Sequence, residues 1–230
     1  MAKLAAGLRH RDWDGPALAG SSSSVADSRP ADHAFTCRPA VFGDSRQIAR
    51  FTCTAGEGLY EFLFDNLIPF VGAADFLTLA VATPRYPVSF SNWFVAIGDA
   101  DGSIIGAANV FPADLLKHDD HAVLPLERRT HIRPLLELQD WGSMFLNALA
   151  VSERHRRCGV GARLLAWAED KARQAGLDRL SLHAWADNKT AVDFYTKRDF
   201  VPLGVAEIPH HPRLPHVGGS ILMRRNVSFR

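Results

Sequence analysis

The segment Arg156-Arg157-Cys158-Gly159-Val160-Gly161 stands between an apolar run, Phe145 to Val151, and a long stretch of helical periodicity. A strand, a short loop and a glycine-bearing helix start, in that order, make a site for an anion. The first N–H groups of a helix have no partner within it, and the helix dipole places its positive end there. Glycine lets a phosphate approach that backbone with no Cβ in the way. Arg156 and Arg157 add positive charge beside it. The plainer reading of the same residues is a solvated basic turn followed by a capped helix. Their coincidence with a strand end and a helix start favours the anion site.

Spacing separates the phosphate-binding patterns that compete here. A Walker loop requires Lys and Ser or Thr after its last glycine, and Gly161 is followed by Ala162-Arg163. The dinucleotide fingerprint finds Gly159 and Gly161 but has Leu164 where its third glycine belongs. Elsewhere, His210, His211 and His216 surround Pro212 and Pro215 with no carboxylate or cysteine placed among them, and they read as a loop cluster with no metal. Lys117 to His121 reads as an exposed polar loop. Cys37, Cys53 and Cys158 are odd in number and widely spaced, which fits free thiols better than a disulfide framework or a zinc site. Tyr195, next to Phe194 on a short amphipathic segment, reads on its own as a core tyrosine with its hydroxyl at the surface.

The pattern Arg156-x-x-Gly159-x-Gly161 after a strand resembles the pyrophosphate loop of the GNAT N-acetyltransferase superfamily, whose members bind acetyl-CoA. Asn188-x-x-Ala191-x-x-Phe194-Tyr195, followed by Phe200 and Gly204, is similar to the second block of that superfamily. The close resemblance covers Phe145 to Gly204; the helical lead-in, the hairpin and the last strand match the order of elements more loosely. Two positions depart from the pattern. Cys158 stands where a small or basic residue is usual, and Asp199 where glycine usually precedes the phenylalanine.

The resemblance implies an α/β chain with a mixed, mostly antiparallel central sheet, flanking helices and a splayed central strand pair. It implies acetyl-CoA as co-substrate. The backbone at Leu149, Ala150 and Val151 would bind the pantetheine arm as an added strand. Arg156, Arg157, Cys158, Gly159, Val160 and Gly161 would hold the pyrophosphate, with Asn188 as a further cofactor contact. Tyr195 corresponds to the general acid: a phenol, of pKa about 10, can protonate or hydrogen-bond a departing thiolate whose acid has a pKa of about 8.5. The activity expected is direct transfer of an acetyl group to a primary amine in a ternary complex, because Cys158 falls inside the pyrophosphate loop and no other cysteine stands beside a paired base. Glu137, Asp140 and His183 are candidates for the base, and His183 reads more readily as a satisfied sheet histidine. The alternative is a non-catalytic acyl-CoA-binding module of the same fold. The acceptor amine is not specified, and a homodimer is left open.

These residues need elements to position them, and the rest of the chain supplies them. A short strand near Phe35 leads to a helix from Ser45 to about Thr54 capped by Asp44 or Ser45. Leu59, Phe62, Leu63 and Leu67 repeat at helical spacing until Pro69 and Gly72 break the pattern, and another apolar segment runs from Ala73 to Ala82. Trp93 to Ile97 and Ile104 to Phe111, joined by Asp99-Ala100-Asp101-Gly102, read as an antiparallel pair. Leu115 to Leu138 is an insert facing solvent or substrate, and Met144 to Val151 is a strand. Val160, Leu164, Ala168 and Ala172 share one face of a helix stopped at Gly176. A strand from Leu180 to Trp185, a helix from Lys189 to Arg198 capped by Asp187 or Asn188, and strands over Phe200 to Val205 and Ser220 to Arg225 complete an α/β chain with a mixed sheet.

At 230 residues and 47% hydrophobic content the chain can bury one large core. Residues 1–33, with the run Ser21 to Ser24 and no sustained apolar period, are expected to form a disordered extension ahead of a single domain over 34–226. Lys+Arg 26 against Asp+Glu 25 argues against a nucleic-acid partner. The longest apolar stretch, Leu67 to Ala82, is broken by Pro69 and Asp75 and is too short to span a membrane. Met1 to Asp14 lacks the apolar core of a secretory signal, so the expected location is cytoplasmic.

Overall fold

The computed structural model describes residues 34–84, 86–118 and 123–229. The extension expected over 1–33, and most of the polar loop before Val123, lie outside the described residues. Strand β1 (Phe35–Pro39) precedes helices α1 (Ser45–Gly56), α2 (Leu59–Phe64) and α3 (Ala73–Ala82). Strands β2 (Trp93–Gly98) and β3 (Ile104–Pro112) form the hairpin, and helices α4 (Leu126–His131) and α5 (Arg133–Glu137) occupy the insert. Then come β4 (Met144–Val151), α6 (Val160–Gln174), β5 (Arg179–Trp185), α7 (Lys189–Thr196), β6 (Val201–Ala206) and β7 (Ser220–Asn226).

The strands form one seven-stranded sheet in the order β1-β2-β3-β4-β5-β7-β6. Every neighbouring pair is antiparallel except β4 and β5, which run parallel. Period-two alternation sends the two sets of strand side chains to opposite faces. On one face Phe94, Ala108 and Leu146 meet Leu164, Ala168 and Ala172 of α6, with Tyr195 of α7 in the same cluster. On the other, Val95, Ala107 and Ala148 meet Ile48 of α1 and Val81 of α3. The stripe read from α6 is its core face: Leu164, Ala168 and Ala172 are each 0% exposed, and the buried leucine contributes about 1.5–3 kcal/mol. Gly176, at φ 71, stops the helix as expected.

A single irregularity matters for function. The β3–β4 register passes from Asn109↔Ala148 to Val110↔Leu146, so Asn147 is an extra residue in β4. This bulge turns the Asn147 side chain to the α1–α3 face, where its Nδ2 donates to Asn109 Oδ1 at 3.0 Å. The cap expected for α1 is different in kind. Asp44 precedes the helix without a side-chain cap bond. Its carboxylate instead accepts the Val41 N–H at 2.8 Å and the Arg38 guanidinium at 2.6 and 3.0 Å, which holds it below the usual carboxylate range.

Candidate active site

Strands β4 and β5 pair only at Met144↔Leu180 and Phe145↔Ser181. Beside that closed end the buried Ser143 and Ser181 hydroxyls bond at 2.6 Å. Beyond it the sheet opens. The Ser152 N–H donates to Ile105 O on β3 at 2.8 Å. Because peptide groups alternate along a strand, those of Ala150 also turn to β3, while those of Leu149 and Val151 face the open side. Of the three backbone contacts expected for pantetheine, two therefore offer free peptide groups. Ala150 lines the cleft but has its N–H and C=O committed to the sheet.

The residues expected to meet an anion follow β4. Arg157 and Gly159 both adopt left-handed backbone, φ 63 and φ 84. Among the described residues, no hydrogen bond is formed by the backbone N–H groups of Arg157 through Ala162, and the first helical bond runs from Arg163 N to Gly159 O at 3.0 Å. A Cβ on Gly159 would touch nothing within 4 Å, so glycine is needed there for its conformation. At Gly161 a Cβ would stand 3.4 Å from the Phe194 ring, an ordinary packing contact. Arg156 and Arg157 are exposed at the mouth of the cleft. Cys158 and Val160 do not line it: the Cys158 thiol donates to Arg156 O at 3.4 Å, and Val160 is 1% exposed, its side chain in the core. Only their amides are available to an anion.

Asn188 begins α7 and caps it, its Oδ1 accepting from Ala191 N at 2.9 Å while its Nδ2 donates to Glu57 Oε1 at 2.5 Å. Asp187, the other cap expected, instead accepts the Val217 N–H at 3.0 Å and faces His216 Nδ1 at 2.9 Å. Tyr195 lies one and a half turns into α7, 8% exposed, edge-on to Phe194 and Phe200 at 5.2 and 5.4 Å between ring centres. Its hydroxyl has no hydrogen-bond partner among the described residues, and Tyr195 lines the cleft. Burial raises its pKa well above the usual phenol range, and the Arg198 charge offsets part of that. Asp199, where glycine was expected, takes φ 62, a conformation aspartate tolerates better than most residues.

All of this opens into a cleft of about 1510 Å³, large enough for two substrates together. One end is formed by the loop before α6 and by α7. The other is formed by Tyr60, Phe64 and Phe76 from α2 and α3 with Leu124, Ile132 and Leu136 from the insert. The insert therefore faces the cleft. The base candidates do not meet there. Glu137 pairs with Arg133 at 2.7 Å on the outside of α5, and Asp140 pairs with Arg179 at 2.6 Å; neither lines the cleft. His183 does line it, but both ring nitrogens are engaged. Nε2–H donates to Leu138 O at 2.8 Å and Nδ1 faces Ser220 Oγ at 3.2 Å, and burial pushes its pKa down to about 4. It is a satisfied sheet histidine. His216 stacks on Trp185 with ring centres 4.1 Å apart, and its Nε2 donates to Glu57 O at 2.8 Å. No group of three His, Cys, Asp or Glu among the described residues could hold a metal. Sequence reading missed Tyr60 and Glu57, because an aromatic at helical spacing and a charge at a helix end carry no signal of their own.

An open, mostly antiparallel sheet parted beside a helix start is the architecture of solved acetyltransferase structures. One, an acetyltransferase, has 22% identity and a TM-score of 0.59, covering 84% of this chain and 100% of its own. An N-acetyltransferase from Staphylococcus aureus Mu50 has 16% identity and a TM-score of 0.59, covering 83% and 100%. An agmatine N-acetyltransferase mutant has 15% identity and a TM-score of 0.56, covering 83% and 97%. Identities this low speak for the fold. The acetyltransferase (GNAT) family model matches residues 75–200, more than half of the chain, and the chain belongs to that family. No curated protein matches it in sequence.

Proposed function

We propose that residues 34–226 form an acetyl-CoA-dependent N-acetyltransferase that passes the acetyl group directly to a primary amine. The observation that carries this reading is one continuous surface. The free peptide groups of Leu149 and Val151 lead into the unpartnered amides from Arg157 to Ala162, with the Tyr195 hydroxyl in the same cleft. The β4 edge holds the pantetheine arm as an added strand. The amides of Arg157, Cys158, Gly159, Val160 and Gly161, with the Arg156 and Arg157 side chains, hold the pyrophosphate at the positive end of α6. Asn188 keeps α7 in register beside them.

In the reaction the neutral amine attacks the thioester carbonyl, the C–N bond forms and the C–S bond breaks. One proton leaves nitrogen and one arrives on sulfur. The Leu149 N–H is placed to receive the developing oxyanion. Tyr195 keeps its proton throughout the physiological range, since burial opposes the phenolate. It donates to the departing thiolate, and the phenolate it becomes is refilled at once from the acylated nitrogen, a far stronger acid. No cysteine lines the cleft among the described residues, and Cys53 is pushed up to about 12 by burial and by Glu61, which supports direct transfer over an acyl-enzyme. With Glu137, Asp140 and His183 engaged elsewhere, the reading assigns no base, and the neutral fraction of the amine is the attacking species.

The test is thiol release from acetyl-CoA across a panel of amines, with acetyl-CoA affinity followed by calorimetry. Tyr195→Phe is expected to lower kcat by about 10²–10⁴ with affinity nearly unchanged. Wild-type turnover by that variant, with chemistry rate-limiting, removes Tyr195 as the acid. Absence of acetyl-CoA binding at millimolar concentration sinks the enzyme altogether. Binding without turnover of any amine returns the chain to the non-catalytic alternative.

A further inference from the structure

The two ends of the cleft lie on opposite faces of the sheet. The loop before α6 and the Tyr195 helix belong to the face packed by α6, whereas Tyr60, Phe64 and Phe76 belong to α2 and α3 on the other side. The gap between β4 and β5 joins them. On the α2–α3 side the wall is a row of rings: Tyr60 and Phe64 lie 7° from parallel with centres 6.3 Å apart, and Phe64 and Phe76 lie 16° from parallel at 4.4 Å. Leu63, Leu124 and Ile132 complete it. Among the described residues, the carboxylates that line the cleft are Glu57, which accepts from Asn188, and Glu153, exposed on the arginine-bearing loop. A second cationic centre carried down this wall would lose its water against the rings, because Glu61, whose charge reaches Tyr60, does not itself line the cleft.

One polar atom interrupts the row. The Asn109 side chain, 0% exposed, donates through Nδ2 to Asn92 O at 3.0 Å and Pro87 O at 3.3 Å, so its Oδ1 is left to accept. That fixes the bulged Asn147 with Nδ2 toward Asn109, at 3.0 Å, and its amide stands beside the Tyr60 hydroxyl as a donor. A phenol oxygen has two lone pairs. One faces Asn147, and the other is free to accept an N–H from a ligand in the cleft. Asn147 is two residues before Leu149 on the same strand, which puts this atom beside the opening.

Resting on the acetyltransferase reading above, we infer that the acceptor is a monoamine with a bulky apolar or aromatic body. The body lies along the Tyr60–Phe64–Phe76 wall, and the nitrogen is held by donating to Tyr60 Oη. This leaves the nitrogen lone pair free to attack through the gap. The preference is against diamines, polyamines and guanidino amines, whose second charge would have to sit against the rings.

The experiment is calorimetry on the full chain saturated with CoA, a non-reacting ternary complex, titrated with tryptamine, phenethylamine, putrescine and spermidine. Tryptamine and phenethylamine are expected to bind at least about tenfold more tightly than either polyamine. Tyr60→Phe, which keeps the ring stack, is expected to weaken tryptamine by about five- to tenfold and to leave CoA affinity unchanged, the loss of one buried hydrogen bond. Equal or tighter binding of putrescine or spermidine overturns the inference, as does unchanged tryptamine affinity in Tyr60→Phe, or no amine binding at all to the CoA complex. Those outcomes leave the acetyltransferase reading standing if CoA binds. A chain that does not bind CoA overturns both.

Discussion

Where the cleft meets α6 its wall is backbone, and where it meets α2 and α3 its wall is side chains. The first end depends on a helix start, on left-handed residues at Arg157 and Gly159, and on a strand whose outer edge is unpaired. Such features demand particular residues at particular spacing, because few sequences tolerate them. The second end depends on rings and aliphatic chains drawn from α2, α3 and the insert. Many sequences can make an apolar wall, and apart from the Tyr60 hydroxyl no single residue in it is obligatory. The proposed donor site is thus defined by conformation and the proposed acceptor site by composition.

That contrast can be strained at the seam between the ends. His183, on β5, reaches Leu138 at the end of the insert and Ser220 on β7. Its pKa falls from the ordinary 6.5 to about 4 on folding. Between those values the unfolded chain binds a proton that the native one does not. Stability is therefore complete above about pH 6.5 and declines toward pH 4, by up to about 2–3 kcal/mol. Urea unfolding across that window should show the ramp in the wild type and a shallower one in His183→Gln, with His131, which burial also pushes down, supplying the remainder. An equal ramp in both would remove His183 from the seam. A smaller effect sharpens the comparison directly. Gly159→Val should lower acetyl-CoA affinity about tenfold, since a β-branched residue at φ 84 is strained by about 1–2 kcal/mol. Gly159→Asn should recover most of it, and the order of amine affinities should not move in either. A changed amine order would mean the ends are not separate. Smallest is Asn188→Ala, which deletes the α7 cap for about 1 kcal/mol, a fall in melting temperature of about 2–4 °C. A loss well beyond that would show that the link to Glu57 ties the ends together.

Most strands, α6 and the Asn188 cap were legible in the sequence, since each has a period, a stop or a cap of its own. Helices α4 and α5 were not. They are six and five residues long, one preceded by Pro125 and the other carrying Pro134 in its first turn, and they mix charge with the apolar residues they turn inward. Asp44 reads as a cap by type, but Arg38 and Val41 claim its carboxylate. Glu137 and Asp140 stand near the site along the chain, yet Arg133 and Arg179 hold them outside it. The left-handed turn at Arg157 leaves no trace, because arginine does not announce that conformation. Tyr60 gains its place only through Asn147 and Asn109, each on a different strand, and a pairing across such distances is a property of the folded sheet.

The parting of β4 from β5 also bears on how such a chain can change over generations. Four strands stand on one side of the gap and three on the other, joined across the ladder at two residue pairs. A substitution that alters strand twist or width in β1–β4 has little ladder through which to disturb β5–β7. Lineages can therefore resculpt the helices that wall one side and try new acceptors, while the register of β5–β7 passes down unaltered.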